Sequence, residues 1–316
     1  MQVSEIGFGT WQLGGNMWGP VDRDEALRAM ARAADVGVTF FDTALVYGMG
    51  KSEELVGEFI RGRSDRDRLM VATKVPPRNM RWPARATTKV EDAFPPSHIR
   101  SSLERSLASL GMERVDLLQL HVWADAWTDD EAWYEAMRAL VQEGKIGAIG
   151  ISVNSHEPET ALRIVERGRV DVLQVVYNIF DSSPEDALLA ACAKHDVGFI
   201  ARVPFDEGGL TGRLKGDEVF PADDFRSVYF KGDLLKQTVE RAAALRFLVD
   251  GGEVRSLPEA ALRFCLSHPA VSTVIPGMRK VDHVDDNARA SDLGPLRPEA
   301  IEKLRTHRWI PRRTAP

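Results

Sequence analysis

The segment VTFFDTALVYGMGKSEELVGEFI, residues 38–60, decides the fold. Residues 38–42 form a short β-rich apolar run that ends on Asp42, and residues 52–60 carry the longer amphipathic pattern of a helix. One strand, one loop and one helix make a unit that recurs on both sides. Before it lie a strand at 6–9 and a helix over 24–36. After it come strands at 69–74, 115–121, 146–152, 172–177, 197–202 and 272–276. The helices between them cover 97–110, 129–143, 158–167, 184–195, 234–249 and 257–267, followed by a short helix from Val281 and a last one from Pro298. Eight strand–helix units are what a (β/α)8 barrel needs, so the reading is an α/β TIM barrel with residues 1–316 as one domain. An open doubly wound sheet would need a glycine fingerprint after the first strand. The nearest candidate, Gly7-Phe8-Gly9-Thr10-Trp11-Gln12, lacks the third glycine and no helix follows it directly. No internal repeat or domain linker is visible.

Bulk composition agrees with that reading. The chain has 316 residues, 44% of them hydrophobic and 28% charged, with a formal net charge of −6. Charges of both signs are spread along it, and Arg312 and Arg313 form only a weak basic cluster, so a nucleic-acid surface is not expected. Cys192 and Cys265 sit in apolar helical runs and read as buried, reduced thiols. The first residues lack the pattern of a signal peptide, and no apolar run reaches the ~18 residues of a membrane span, so a cytoplasmic location is expected. Two connections are long, residues 75–96 and 203–231. Both follow strands, which puts them on the C-terminal barrel face where barrel enzymes build their sites.

Four polar residues lie at or just past consecutive strand ends: Asp42, Tyr47, Lys74 and His121. In a barrel these positions converge on one mouth. A partly desolvated Lys74 needs a counter-charge, which Asp42 can supply. An ammonium beside a phenol lowers its pKa, so Tyr47 can protonate a carbonyl oxygen as hydride reaches carbon. His121 can orient the same oxygen. Taken singly, each has a plainer reading: a loop cap, a surface aromatic, a snorkelled lysine and a core histidine. A metal site is not expected, because only Asp42 and His121 qualify as ligands and Lys74 between them would repel a cation.

The chain resembles the aldo-keto reductase superfamily. The resemblance rests on residues 37–60, on ERVDLLQLH, on VATKVPP and on IPGMRKVDHVDDN, and runs from about Ile6 to the final helix. It implies a TIM barrel that binds NADPH/NADP+ without a Rossmann motif, and a catalytic tetrad in which Tyr47 is the general acid, Lys74 and Asp42 tune it, and His121 positions the carbonyl. It implies cofactor contacts at Gly9, Thr10, Trp11, Asp42, Ser152, Gln174, Arg202, Val203, Phe205, Gly208, Leu210, Gly277, Met278, Arg279, His283, Asp286 and Asn287. Gly277, Met278 and Arg279 are expected to open the helix after the last strand, where free N–H groups suit a phosphate. Arg279 matches the position that grips the 2′-phosphate, which argues for NADPH over NADH. Ser152 and Gln174 match the residues that bind the carboxamide.

The chain departs from the family pattern at several points. Val153 follows Ser152 where the family has Asn, which leaves Asn154 displaced by one. Arg202 replaces the aromatic that stacks on the nicotinamide, and Val203 replaces the serine after it. A cation there is expected to weaken retention of oxidised cofactor relative to NADPH; the alternatives are an arginine turned to solvent or paired with Asp206 or Glu207. Family members carry a β-hairpin ahead of the first barrel strand. Only five residues precede Ile6, so an exposed apolar patch is expected at the barrel bottom.

The implied partner is a small carbonyl substrate, with no nucleic acid and no membrane. The sequence leaves the oligomeric state and the physiological direction open. Trp11, Tyr47, Trp82, His121 and Trp123 are the expected substrate contacts, with Trp18 a further wall and Trp127 and Trp133 packing residues. Arg78, Arg81 and Arg85 read as solvated loop charges ahead of an acidic-substrate site. A cofactor-binding regulatory subunit with slow turnover, as potassium-channel β-subunits are, is the alternative function.

Overall fold

The computed structural model describes residues 2–15 and 17–310; Arg312 and Arg313 lie outside them. Strands β1 (Phe8–Gly9), β2 (Phe40–Asp42), β3 (Met70–Val75), β4 (Val115–Leu120), β5 (Ile146–Ser152), β6 (Val172–Val176), β7 (Gly198–Arg202) and β8 (Thr273–Val274) pair in parallel in chain order. Parallel bridges Ile6↔Val274 and Gly9↔Gly277 join the last strand to the first and close the ring. Helices α1 (Arg23–Asp35), α2 (Lys51–Arg61), α3 (Pro96–Leu110), α4 (Glu131–Gln142), α5 (Leu162–Glu166), α6 (Leu188–Lys194), α7 (Leu234–Ala243), α8 (Leu257–Leu266), α9 (Val281–Asp292) and α10 (Pro298–Arg305) alternate with the strands or follow the last one. This is the (β/α)8 barrel expected from the sequence.

Differences fall at element ends. Residues 158–161 and 183–186 are 3-10 turns, each holding a proline and no side-chain cap, so α5 and α6 start later than the pattern predicts. The expected helix over 234–249 breaks into α7, a 3-10 turn at 244–246 and a last turn, Phe247–Asp250. The helix from Val281 is not short: it runs for 12 residues.

The barrel interior is layered by the strand period of two. Phe40, Ala72, Leu117, Val172, Ile200 and Ile275 form one apolar interior cluster. Two residues further along five of these strands stand Asp42, Lys74, Gln119, Gln174 and Arg202. An apolar plug thus supports a polar layer at the mouth. The expected bare patch at the barrel bottom is not seen. Val3 packs on the interior cluster, and Ser4 accepts from the Thr39 N–H and donates its own N–H to Thr39 Oγ1, both at 2.9 Å. None of the exposed large hydrophobics among the described residues is one of the cluster residues. Cys192 and Cys265 are buried and free. Burial pushes the Cys192 thiol up to about 12. No helix among the described residues is long and apolar enough to cross a membrane.

Candidate active site

The polar layer centres on Asp42. Its Oδ1 accepts from Lys74 Nζ at 2.5 Å, and its Oδ2 from Gln174 Nε2 at 2.8 Å and Gln119 Nε2 at 3.2 Å. Lys74 Nζ also donates to the Thr43 carbonyl at 2.8 Å and lies 3.4 Å from the Tyr47 hydroxyl. The Lys74 side chain has no exposure and that of Asp42 only 3%. A buried charge survives only when paired and hydrogen-bonded, and this one has three oxygen partners. Thr10 fixes the backbone of Asp42: its N–H and Oγ1 both donate to the Asp42 carbonyl, at 3.0 and 2.8 Å. Ser52 of α2 donates to Thr10 Oγ1 at 2.7 Å, so the helix of the opening segment braces the end of its own strand.

Burial raises the Tyr47 pKa, against the lowering effect of Lys74. The expectation of an acidified phenol is therefore corrected, because desolvation of the phenolate outweighs the ammonium. Tyr47 therefore stays protonated at neutral pH, with Lys74 Nζ 3.4 Å from its hydroxyl. His121 is held well below its ordinary value by burial, then by Lys74 and Arg202. It is a neutral imidazole, its ring is 5.9 Å from that of Tyr47, and its Nδ1 is buried without a partner among the described residues.

Sequence reasoning missed Gln119 and Glu53. Gln119 precedes His121 by two on the same strand face, a signal that was available. Glu53 is fully buried and accepts from Thr73 Oγ1 at 2.6 Å. Burial raises its pKa, which keeps this second acid from competing with Asp42 for Lys74.

Trp82 stands edge-on to His121 at 6.0 Å, and Trp11 lies 6.1 Å from Tyr47. Both are half-buried and face the mouth. Trp18 packs against Trp11 at 5.4 Å. Phe225, missed in the long loop after β7, packs on Trp11 at 4.8 Å. Trp123 is corrected: it is fully buried among Trp127 and Trp133 and its indole N–H donates to the Thr160 carbonyl at 3.1 Å. It supports the wall from behind. Asn154 is likewise a brace: its amide N donates to the Ala84 carbonyl at 3.0 Å and to Glu157 at 2.8 Å.

Arg202 does not turn to solvent. Its Nη2 donates to the Val153 carbonyl at 3.0 Å and to Ser155 Oγ at 3.3 Å, while its Nε is buried without a partner among the described residues. Burial lowers its pKa, opposed by Tyr47, Glu207, Asp42 and Asp181. Val203 beside it has φ +58°, a left-handed conformation that a β-branched residue rarely adopts. Ser152 and Gln174 are neighbours across β5 and β6 in this layer.

The phosphate side differs from expectation in one respect. Gly277, Met278 and Arg279 precede α9 and do not open it; the helix starts at Val281 with no side-chain cap on its free N–H groups. Arg279 is half-buried and donates Nη1 to the Trp18 carbonyl at 2.9 Å. Arg213, a residue sequence reasoning passed over, reaches His283 at 3.4 Å. Burial lowers the His283 pKa, helped by Arg213, Lys280 and Arg279. Four basic groups thus converge at one helix start. Asn287 is buried and Asp286 exposed on α9. Met278 and Leu210 are fully buried, and the Thr10 hydroxyl donates to the Asp42 carbonyl, so these three side chains pack or brace. Gly9 pairs with Gly277, and a Cβ on Gly9 would come within 2.8 Å of the Ile275 carbonyl. Phe205 packs on the core, and Gly208 has φ +101° in the loop that follows.

The aldo/keto reductase family profile matches residues 5–308. The chain is 30% identical over 282 residues to the Aldo-keto reductase YhdN of Bacillus subtilis (strain 168), covering 89% of this chain and 82% of that protein. It is 29% identical over 320 residues to a probable voltage-gated potassium channel subunit beta of Oryza sativa subsp. japonica, covering 96% and 92%. The solved glycerol dehydrogenase AKR11B4 of Gluconobacter oxydans superposes with a TM-score of 0.77 at 30% identity, covering 96% and 91%. An aldo-keto reductase of Klebsiella pneumoniae in complex with NADPH superposes with a TM-score of 0.71 at 26% identity, covering 99% and 94%. This chain belongs to the aldo/keto reductase family.

Proposed function

We propose that the protein is an NADPH-dependent oxidoreductase that reduces small aldehydes or ketones to alcohols. One observation carries the reading: a buried Lys74 held by Asp42 at 2.5 Å stands 3.4 Å from a Tyr47 hydroxyl that faces a neutral His121. A carbonyl oxygen between Tyr47 and His121 meets two donors. As negative charge grows on that oxygen, Tyr47 gives up its proton, because an alkoxide is far more basic than a phenolate. Lys74 then stabilises the phenolate and Asp42 keeps Lys74 charged. His121, neutral, donates a hydrogen bond without competing for the proton.

The residues present fit a nicotinamide dinucleotide phosphate. Arg213, Arg279, Lys280 and His283 gather at the uncapped start of α9, where a phosphate is favoured. The unpartnered Nε of Arg202 and Nδ1 of His121 sit at the mouth beside Ser152 and Gln174. When bound, the reduced cofactor supplies the hydride. Titration with NADPH and NADH, followed by turnover of an activated aromatic aldehyde, tests the reading. Tight NADPH binding with turnover is expected. Binding without turnover of any aldehyde would favour instead the regulatory-subunit reading, which draws on the likeness to the channel β-subunit.

A further inference from the structure

The loop between β3 and α3 folds around a cavity of about 410 Å³ lined by Arg78, Asn79, Arg81, Arg85, Thr87, Thr88 and Asp92. Three guanidiniums face one carboxylate there. No ion pair to Arg78, Arg81 or Arg85 forms among the described residues; Arg78 Nη2 donates only to the Glu91 carbonyl, at 3.0 Å. Some surface arginines elsewhere are held by carboxylates, as Arg100 is by Glu143 and Arg163 by Asp125 and Asp129, and these three are not. Three arginines against one carboxylate, with hydroxyl and amide donors added, have the composition of an oxyanion site.

The cavity is also preformed. His98 Nε2 donates to the Pro76 carbonyl at 2.8 Å. Arg78 N–H donates to the Ala93 carbonyl at 2.8 Å, and Trp127 Nε1 to the Thr88 carbonyl at 2.7 Å. Asn154 holds Ala84 through both its N–H, at 3.3 Å, and its carbonyl, at 3.0 Å. A loop tied at four points loses little freedom when a ligand binds. Arg81 is next in the chain to Trp82, whose ring borders His121.

We propose that this cavity binds the phosphate or carboxylate of an anionic ligand. Two sources share that chemistry: the charged end of a carbonyl substrate whose other end reaches His121, and a separate small anion. The site stands on the loop alone; the first source rests on the reductase reading.

The test is calorimetric titration of the NADPH-saturated protein with inorganic pyrophosphate, so that the cofactor's own phosphate sites are filled. Wild type is expected to bind, and Arg81→Gln/Arg85→Gln to bind about tenfold more weakly or worse, the scale of a lost charge-assisted hydrogen bond. Unchanged NADPH affinity and thermal melting would show that the variant is folded. Equal pyrophosphate binding by the two proteins, or none by wild type, would overturn the proposal. A second arm compares 4-carboxybenzaldehyde with uncharged 4-nitrobenzaldehyde as substrates. A rise in KM for the carboxylated aldehyde alone in the variant identifies the substrate as the source. Pyrophosphate binding with no such rise identifies a separate anion. Loss of turnover with both aldehydes in wild type would count against the reductase reading and leave the calorimetric result standing.

Discussion

Two cations stand on opposite sides of the barrel mouth, Lys74 buried and Arg202 half-buried, and they are treated differently. Lys74 on β3 has a carboxylate at 2.5 Å, a backbone carbonyl at 2.8 Å and a phenol at 3.4 Å. Arg202 on β7 has two neutral acceptors on one nitrogen and a buried Nε with none among the described residues. Tyr47, Glu207, Asp42 and Asp181 oppose the lowering of its pKa by burial. The first cation is locked into the protein by its three partners. The second leaves part of its hydrogen-bonding capacity facing the mouth, next to a strained Val203. Orphaned polar groups and backbone strain gather where a ligand completes the structure.

The largest expected effect breaks the locked side. Tyr47→Phe is expected to lower kcat by about 10²–10⁴-fold, the range for a positioned general acid, with NADPH affinity retained. Steady-state kinetics check this, and a variant keeping a tenth of wild-type kcat would remove Tyr47 from its role. Asp42→Asn leaves Lys74 buried without its counter-charge and is expected to destabilise the fold by about 3–5 kcal/mol in denaturant unfolding. Arg202→Leu is expected to cost far less, since the two hydrogen bonds it gives up are to neutral acceptors, the Val153 carbonyl and Ser155 Oγ. Equal losses in the two variants would erase the contrast.

Cofactor binding sharpens the other side. Arg279→Gln is expected to weaken NADPH by about 10–100-fold, the scale of lost charge-assisted bonds to phosphate, and to leave NADH unchanged. Fluorescence titration decides, and parallel losses for both cofactors would assign Arg279 elsewhere. For Arg202→Tyr, the ratio of the NADP+ to the NADPH dissociation constant is expected to fall by about 3–10-fold, as a partly screened cation–cation repulsion is relieved. An unchanged ratio would mean that the guanidinium does not sense the charge on the ring.

The smallest effect concerns pH. Burial and two cations hold His121 well below its ordinary value of 6.5. Below that value the unfolded chain takes up a proton that the folded one refuses, so stability falls as pH drops from 7 towards 5.5. His121→Gln should flatten this slope in thermal melts, and an unaltered slope would show that the imidazole titrates normally.

Much of this was legible in the sequence. Segment 38–60 alone announces a strand, a loop with Tyr47 and a helix, and eight such units count out the barrel, because periodicity is written locally. Asp42, Lys74 and His121 could be read because each ends an apolar strand. Other features were hidden. Trp123 looked like a pocket wall by its place after β4, yet tertiary packing turns it into a tryptophan cluster. Thr10 and Met278 matched cofactor positions, but their side chains serve Asp42 and the core. The pKa of Tyr47 could not be signed from its neighbours, since the desolvation that dominates it depends on the whole barrel.

The sequence by itself determined the order of elements, the polar residue at each strand end and the family. Only the tertiary structure decided which of these side chains meet: Lys74 with Asp42 across 32 positions, Gln174 with Asp42 across 132. The physical reason is that period and propensity act over a few residues, whereas burial and hydrogen-bond pairing are settled when the ring closes and eight strand ends share one mouth.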